Sequence, residues 1–240
     1  MQAITQFFHI ILMQPLVNLL ILGYEYIPGH DVGVSIIVLT LLIRLILLPS
    51  FHKSLKAQKQ INDIQPKLNA LKEQHKDDKE AQAKAMMALY KEHSINPFGS
   101  CLPLLIQLPF LLALYRVFYY VLRGTDLKNY LYSWVHNPVT LNPYFLHWIN
   151  LSQPSLWLGI VAGIAQYLQS KAMLPKIKSN DPTTQALQMQ TLYILPILTV
   201  VISLRLPAGL PLYWIISTLF AAGQQYYIMR NNNSKVEVLN

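Results

Sequence analysis

The chain has 240 residues, of which 53% are hydrophobic and only 12% charged, with a formal net charge of +8. Ordinary soluble domains carry about 25% charged residues, so this composition excludes one and marks an integral membrane protein. The basic balance does not point to nucleic acid, because the charges sit between apolar runs and are not spread over a soluble face.

Residues 1–31 lack the basic start and small-residue cleavage site of a secretory signal and contain no lysine or arginine, so nothing marks them for removal. Phe7 to Leu22 is apolar but interrupted. Gln2, Gln6, His9, Gln14 and Asn18 recur at mostly helical spacing, which favours an amphipathic helix lying in the interface over one that spans. Pro28-Gly29 then turns the chain.

Residues 32–51 are predicted to form the first transmembrane helix, close to the roughly 20 residues that cross a bilayer. Arg44 is its anomaly. A charge inside a membrane costs a few kcal/mol and usually faces a wet cavity within the protein, although a snorkelling arginine is the alternative. Lys53 lies nine positions on, about 13 Å along a helix, so the expectation places Arg44 away from the helix end.

Residues 52–95 change character abruptly, with nine lysines and six acids between Phe51 and Ile95. Ile61, Ile64, Leu68 and Leu71 follow a 3-4-3 spacing, and Ala85, Met86, Leu89 and Tyr90 make a second stripe beyond Asp77-Asp78. Two antiparallel amphipathic helices would bury both stripes in a hairpin.

The second span is expected over 96–123, with Pro103, Gln107 and Pro109 inside it. Prolines are tolerated in membrane helices whose neighbours satisfy the freed carbonyls. An aromatic loop follows over 124–154, its Trp134, Tyr144 and Trp148 suited to a membrane interface. The third span, 155–173, carries Gln166 and Gln169 facing something polar. A basic loop over 174–187 leads to spans four (188–204) and five (206–229), coupled through Arg205-Leu-Pro-Ala-Gly209 and followed by a polar tail, 230–240.

Fourteen lysines and arginines lie in the hairpin, the basic loop and the tail, against Arg123, Lys128 and Arg205 on the other side. The positive-inside rule therefore predicts five spans with the N-terminus outside and the C-terminus and hairpin in the cytoplasm. If Phe7 to Leu22 also spans, only the N-terminus changes side.

The seven histidines show no metal spacing and Cys101 is the lone cysteine, so neither a metal site nor an intramolecular disulfide is expected. Motifs of nucleotide binding, metalloprotease or serine-hydrolase chemistry are missing. No cofactor and no enzymatic activity are expected.

Three stretches carry a family resemblance. Thr40-Leu-Leu-Ile-Arg44 with Pro49 is the first, and Leu89-Tyr-Lys-Glu-His-Ser-Ile-Asn-Pro-Phe-Gly-Ser-Cys-Leu-Pro-Leu-Leu-Ile-Gln-Leu-Pro109 the second. The third is Leu206-Pro-Ala-Gly-Leu-Pro-Leu-Tyr-Trp214. In order and together they resemble the YidC family of membrane protein insertases, from about residue 8 to 230. The resemblance implies an all-α integral membrane protein: a five-transmembrane-helix insertase core, a cytoplasmic helical hairpin and an N-terminal interfacial amphipathic helix. It also implies a hydrophilic groove open to cytoplasm and lipid but closed on the outer side. Arg44 then occupies the groove arginine position, Thr40 and Trp214 match substrate-side positions, and Gln107 and Gln169 match polar positions facing the groove. Ordinary interhelical hydrogen bonding remains the other reading of the two glutamines, and core packing that of Trp214.

The chain departs from larger members in showing no large extracytoplasmic domain, no further N-terminal anchor, no lipobox cysteine near the start and no long basic C-terminal extension. The short tail places the hairpin ahead of it as receiver of substrates. Expected partners are nascent membrane proteins and the lipid bilayer, with the ribosome and the Sec translocon as candidates and no specific nucleic-acid sequence. The location implied is the plasma (inner) membrane. Two other classes stay open: a small transporter or channel subunit with Arg44 as an anion site, and an assembly chaperone for membrane complexes. Transporters often show paired interrupted helices in two halves, and no such repeat is visible.

Overall fold

The computed structural model describes residues 6–96, 99, 102–124, 127–138, 141–174 and 182–237. The described chain is mostly helical. Helix α1 runs over Gln6–Tyr26 through a π-helical turn at His9–Met13. It is followed by α2 (Val32–Ile46), α3 (Leu48–Asp63), α4 (Gln65–Gln74), α5 (Lys79–Glu92) and α6 (Leu102–Leu122). After a two-stranded ribbon, β1 (Tyr144–Phe145) and β2 (Ile149–Asn150), come α7 (Leu156–Met173), α8 (Pro182–Met189), a second π-turn at Gln190–Ile194, α9 (Leu195–Ser203) and α10 (Gly209–Glu237). The ribbon was not foreseen, because two-residue strands are too short to show alternation.

Three described helices are long and apolar enough to cross a membrane: Gln6–Tyr26, Leu105–Leu122 and Thr184–Ser203. A fourth is added if α2 and α3 count as one broken span. Length and composition thus select fewer spans than the five expected, and they include the N-terminal helix expected in the interface. Gln166, Gln169 and Lys171 in α7, and Gln224 and Gln225 in α10, dilute the apolar character of the last two candidates.

The chain divides into two compact units. The first comprises Met1–Ile46, Ile106–Gln166 and Pro196–Phe220. Its core is built from Val17, Leu20 and Ile21 of α1, Ile36 of α2, Leu114 and Phe118 of α6, and Leu210 and Tyr213 of α10, all at most 1% exposed. Asp31 organises the N-terminal end of α2. Its Oδ1 accepts from the Val34 amide at 3.0 Å, as an N-cap should, and its Oδ2 accepts from the Leu146 amide at 2.6 Å. The ribbon's turn residues Leu146 and His147 have φ of 50° and 65°, a left-handed conformation that L-residues adopt at a cost. The hydrogen bond to Asp31 ties that turn to α2, and Phe145 packs where a side chain on Gly33 would stand.

The same unit ties α1 to the loop after α6. Asn18, 1% exposed, donates from Nδ2 to the Tyr130 carbonyl at 2.8 Å, and its Oδ1 accepts from the Tyr132 amide at 2.8 Å. His9 packs its ring 5.0 Å from that of Tyr130, and the Tyr24 hydroxyl accepts from the Asn142 amide at 3.0 Å. Contacts therefore run along sixteen residues of α1, from His9 to Tyr24, about 22 Å of helix.

One expectation is corrected here. Arg44 lies in the last turn of α2, which ends at Ile46, and not in the interior of a helix reaching residue 51. Pro49 is the cause: it has no amide to donate and its ring crowds the carbonyl four residues back, so the helix breaks at Leu47 and restarts with Pro49 in the first turn of α3. A cation at a helix C-terminus meets the negative end of the macrodipole. Asp31 meets the positive end.

The second unit comprises Leu47–Leu105, Tyr167–Leu195 and Ala221–Asn240. Its core is the junction of the two apolar stripes of the lysine-rich hairpin: Ile64, Leu68, Leu89 and Ile95 are buried together, with Ile61, Leu71, Met86 and Tyr90 packed around them. Asp78 turns the chain by accepting from the Glu80 and Ala81 amides at 3.0 and 2.9 Å, capping α5. Burial pushes the Tyr90 phenol above the usual tyrosine pKa. Pro97, Phe98, Ser100 and Cys101 of the central motif, the basic stretch 175–181 and the last three residues lie outside the described residues.

Candidate functional site

The candidate site grows from α2 and α10, which the glycine-containing Leu206–Gly209 stretch holds together. The Ala208 amide donates to the Gln153 carbonyl at 3.0 Å, and a side chain on Gly209 would meet Leu122 at 3.1 Å and Ile36 at 3.2 Å. Glycine lets α10 begin against both α2 and α6, and one turn later α10 presents Tyr213.

Arg44 is 9% exposed. Tyr213, in the same unit, is 1% exposed. The Tyr213 hydroxyl accepts a hydrogen bond from Nε2 of Gln107 on α6. Gln107 and Tyr213 thus make a polar pair between α6 and α10, in surroundings where each polar group needs a partner, and Arg44 is buried in the same unit. Thr40 is buried, and its hydroxyl donates to the Ile36 carbonyl of its own helix at 2.6 Å. In this structure Thr40 is therefore packed and satisfied. Trp214 is half-buried, about 100° around the helix from Tyr213. Gln169 is half-buried and belongs to the second unit.

Four features were not singled out from sequence. Tyr213 adjoins Trp214 and has the same aromatic character, and local sequence does not say which of the two faces inward. Arg116 is a second arginine within the apolar run of α6, its guanidinium 5.7 Å above the Phe8 ring. Asn18 reads from the sequence only as one polar position among several on α1. Gly159 and Gly163 form a small-xxx-small pair that a motif scan finds. A side chain added at Gly159 would lie 2.7 Å from Ser203, and at Gly163 2.6 Å from Val200, so α7 and α9 pack at backbone range. Beside them the Thr199 hydroxyl donates to Oε1 of Gln166 at 2.6 Å. That hydrogen bond between helices gives Gln166 its polar neighbour.

The family described as 60Kd inner membrane protein matches residues 24–235. The membrane protein insertase YidC of Pelobacter propionicus is 34% identical over 225 residues, which cover 91% of this chain and 38% of that protein. The protein of that name from Geobacter sulfurreducens is 32% identical over 231 residues, 96% of this chain and 39% of its own. That of Syntrophus aciditrophicus is 34% identical over 217 residues, 90% and 36%. The chain spans less than two fifths of the length of these curated relatives. A match over nearly its whole length, reached independently of the buried Arg44, shows that this chain belongs to the 60Kd inner membrane protein family, in which its relatives are named membrane protein insertase YidC.

Proposed function

We propose that the chain is a membrane protein insertase, taking nascent membrane proteins into the lipid bilayer without nucleotide hydrolysis of its own. The observation that carries this reading is Arg44, a buried cation at the end of an apolar helix, in the unit that also holds the hydrogen-bonded Gln107 and Tyr213. A charge placed there serves a polar path better than it serves stability, since removing a cation from water is costly. In the proposed mechanism Arg44 heads a hydrophilic groove with Thr40, Gln107, Gln169 and Trp214 along it. The groove lowers the cost of carrying polar or acidic residues part-way across. Burial of the substrate helix in lipid, at about 25 cal/mol per Å² of apolar surface, drives release.

The proposed frame is a plasma-membrane core of five spans, 32–51, 96–123, 155–173, 188–204 and 206–229, with the N-terminus outside and the hairpin and C-terminus in the cytoplasm. The contacts of α1 support its place on the outer surface. His9, Asn18 and Tyr24, spread along the helix, all meet the single loop 124–154. A helix crossing the bilayer would leave that loop within a turn or two. The hairpin is the proposed receiver of substrates, with the ribosome and the Sec translocon as partners.

The test is insertion by the purified chain in proteoliposomes, using paired substrates that differ only in acidic residues of the translocated segment. An Arg44→Ala variant is expected to lose about tenfold in insertion of the acidic substrate, equivalent to about 1.4 kcal/mol. It should lose little with the neutral one. Arg44→Lys should keep most of the activity if charge outweighs guanidinium geometry. Unchanged insertion of acidic substrates by Arg44→Ala would overturn the role of Arg44. Solute or ion flux without insertion would replace the insertase with a transporter.

A further inference from the structure

We propose that the ribbon of β1 and β2 is a wedge whose tip, Leu146 and Trp148, enters the outer leaflet of the bilayer at the boundary between headgroups and acyl chains. The tip is a turn closed by the Trp148 amide, which donates to the Phe145 carbonyl at 3.0 Å. Leu146 and His147, its two central residues, are both left-handed, with φ of 50° and 65°. Hairpin turns with both central residues at positive φ strongly prefer Asn-Gly or Asp-Gly, because a larger side chain there is strained. Here the pair is Leu-His, and a second element holds the strain in place: Asp31, 8% exposed, accepts from the Leu146 amide at 2.6 Å. The result is display. Leu146 is 58% exposed and Trp148 89%, so neither side chain belongs to the core. A strained turn, pinned by a buried carboxylate and showing a leucine and a tryptophan outward, marks a contact made outside the chain.

The place of the ribbon selects lipid as that contact. Phe145 fills the space beside Gly33 in the first turn of α2. Just after β2, the Leu151 carbonyl accepts at 3.3 Å from the amide of Gly209, where α10 begins, and the Gln153 carbonyl, three residues before α7, accepts from the Ala208 amide at 3.0 Å. The ribbon is therefore fixed at the level where three apolar helices start. On α7, Trp157, Val161 and Ile164 form an exposed stripe at 4-3 spacing, on the side turned away from Gly159 and Gly163, which pack on α9. That stripe is a lipid face, and Trp157 stands at its end, where membrane tryptophans gather. A tip at that depth meets headgroups and the upper acyl chains, which suit the amphipathic indole of Trp148, the apolar Leu146 and a hydrated His147 ring. This inference rests on the proposed spans, with residues 124–154 outside.

Tryptophan fluorescence of the full chain in liposomes tests the tip without any insertion substrate. Trp134→Phe, Trp157→Phe and Trp214→Phe together leave Trp148 as the sole reporter, and a companion chain keeps Trp157 alone. Trp148 emission should be blue-shifted and strongly quenched by phosphatidylcholine brominated on an acyl chain, and nearly untouched by aqueous iodide. Trp157 should behave alike. Iodide quenching of Trp148 beside bromolipid quenching of Trp157 overturns the wedge and leaves the spans standing. Iodide quenching of both overturns the placement of the spans, and the wedge with it. Protection of Trp148 from both quenchers overturns the wedge too, because protein would then cover the tip. Leu146→Asn with His147→Gly gives the turn its preferred residues, so this variant should melt several degrees higher in detergent while Trp148 loses much of its bromolipid quenching in liposomes. An unchanged melting temperature, or unchanged quenching, overturns the reading of a strain kept for contact with lipid.

Discussion

Asn18 gives the sharpest test of how α1 is held. The perturbation is Asn18→Leu, nearly equal in volume and apolar. Of the three hydrogen bonds that Asn18 makes, the one to the Gln14 carbonyl lies within its own helix. The other two satisfy the Tyr130 carbonyl and the Tyr132 amide of a loop more than a hundred residues away. Leucine leaves both loop groups without their partner, at about 1–3 kcal/mol each when buried. Because Tyr130 and Tyr132 are only half-buried, the lower part of that range applies, and about 2–4 kcal/mol is expected. At roughly 2–4 °C per kcal/mol for a chain of this size, the melting temperature in detergent should fall by about 4–16 °C. Amide exchange separates this clamp from a general loss of packing: the Tyr132 amide should lose protection far more than amides in α5. Asn18→Asp divides the two arms, since the carboxylate still accepts from Tyr132 but opposes the Tyr130 carbonyl. Wild-type melting and an unchanged Tyr132 exchange rate in Asn18→Leu would refute the clamp.

The other predictions concern packing and topology. Gly163→Ala places a methyl 2.6 Å from Val200 and 3.1 Å from the Pro196 carbonyl, so it should destabilise by about 1–3 kcal/mol and loosen α7 from α9; undiminished thermal stability would show that Val200 gives way freely. Leu89→Ala removes a large side chain from a small buried cluster and should cost about 2–5 kcal/mol. The hairpin arms should then become sensitive to limited proteolysis while α1 and α2 stay protected, and a uniform response across the chain would contradict the division into two units. In a Cys101→Ser background, cysteines placed singly at Gln6 and Tyr26, both exposed, should react with an impermeant maleimide from the outer side of sealed vesicles. Labelling of one from outside and the other from inside would make α1 a spanning helix.

What the sequence made legible follows the range of the interactions concerned. The Arg44 anomaly, the two hairpin stripes and the turn at Asp77-Asp78 are local patterns, and a charge or a period shows itself within one or two turns. Pro49 is as visible in the sequence as Arg44. A 20-residue apolar run suggested one straight span, whereas the missing amide at Pro49 ends α2 at Ile46 and turns Arg44 into a C-terminal cation. Which polar groups meet was not legible at all. Tyr213 and Trp214 are neighbours separated by 100° of helix, and only the seating of Gly209 against Ile36 and Leu122 decides that Tyr213 turns toward Gln107. Asn18 reads as one polar residue on an amphipathic face, yet both its outward bonds close across more than a hundred residues. The two cases share a cause. In a segment where every buried amide and hydroxyl must find a partner, the identity of a polar residue announces that a contact exists, while helix phase and chain closure decide with what. The glutamine at 107 was therefore recognisable as belonging to a polar site before its partner was, and the same reasoning makes Arg116, passed over in an apolar run and now found over Phe8, a residue to count in any account of how α1 is held.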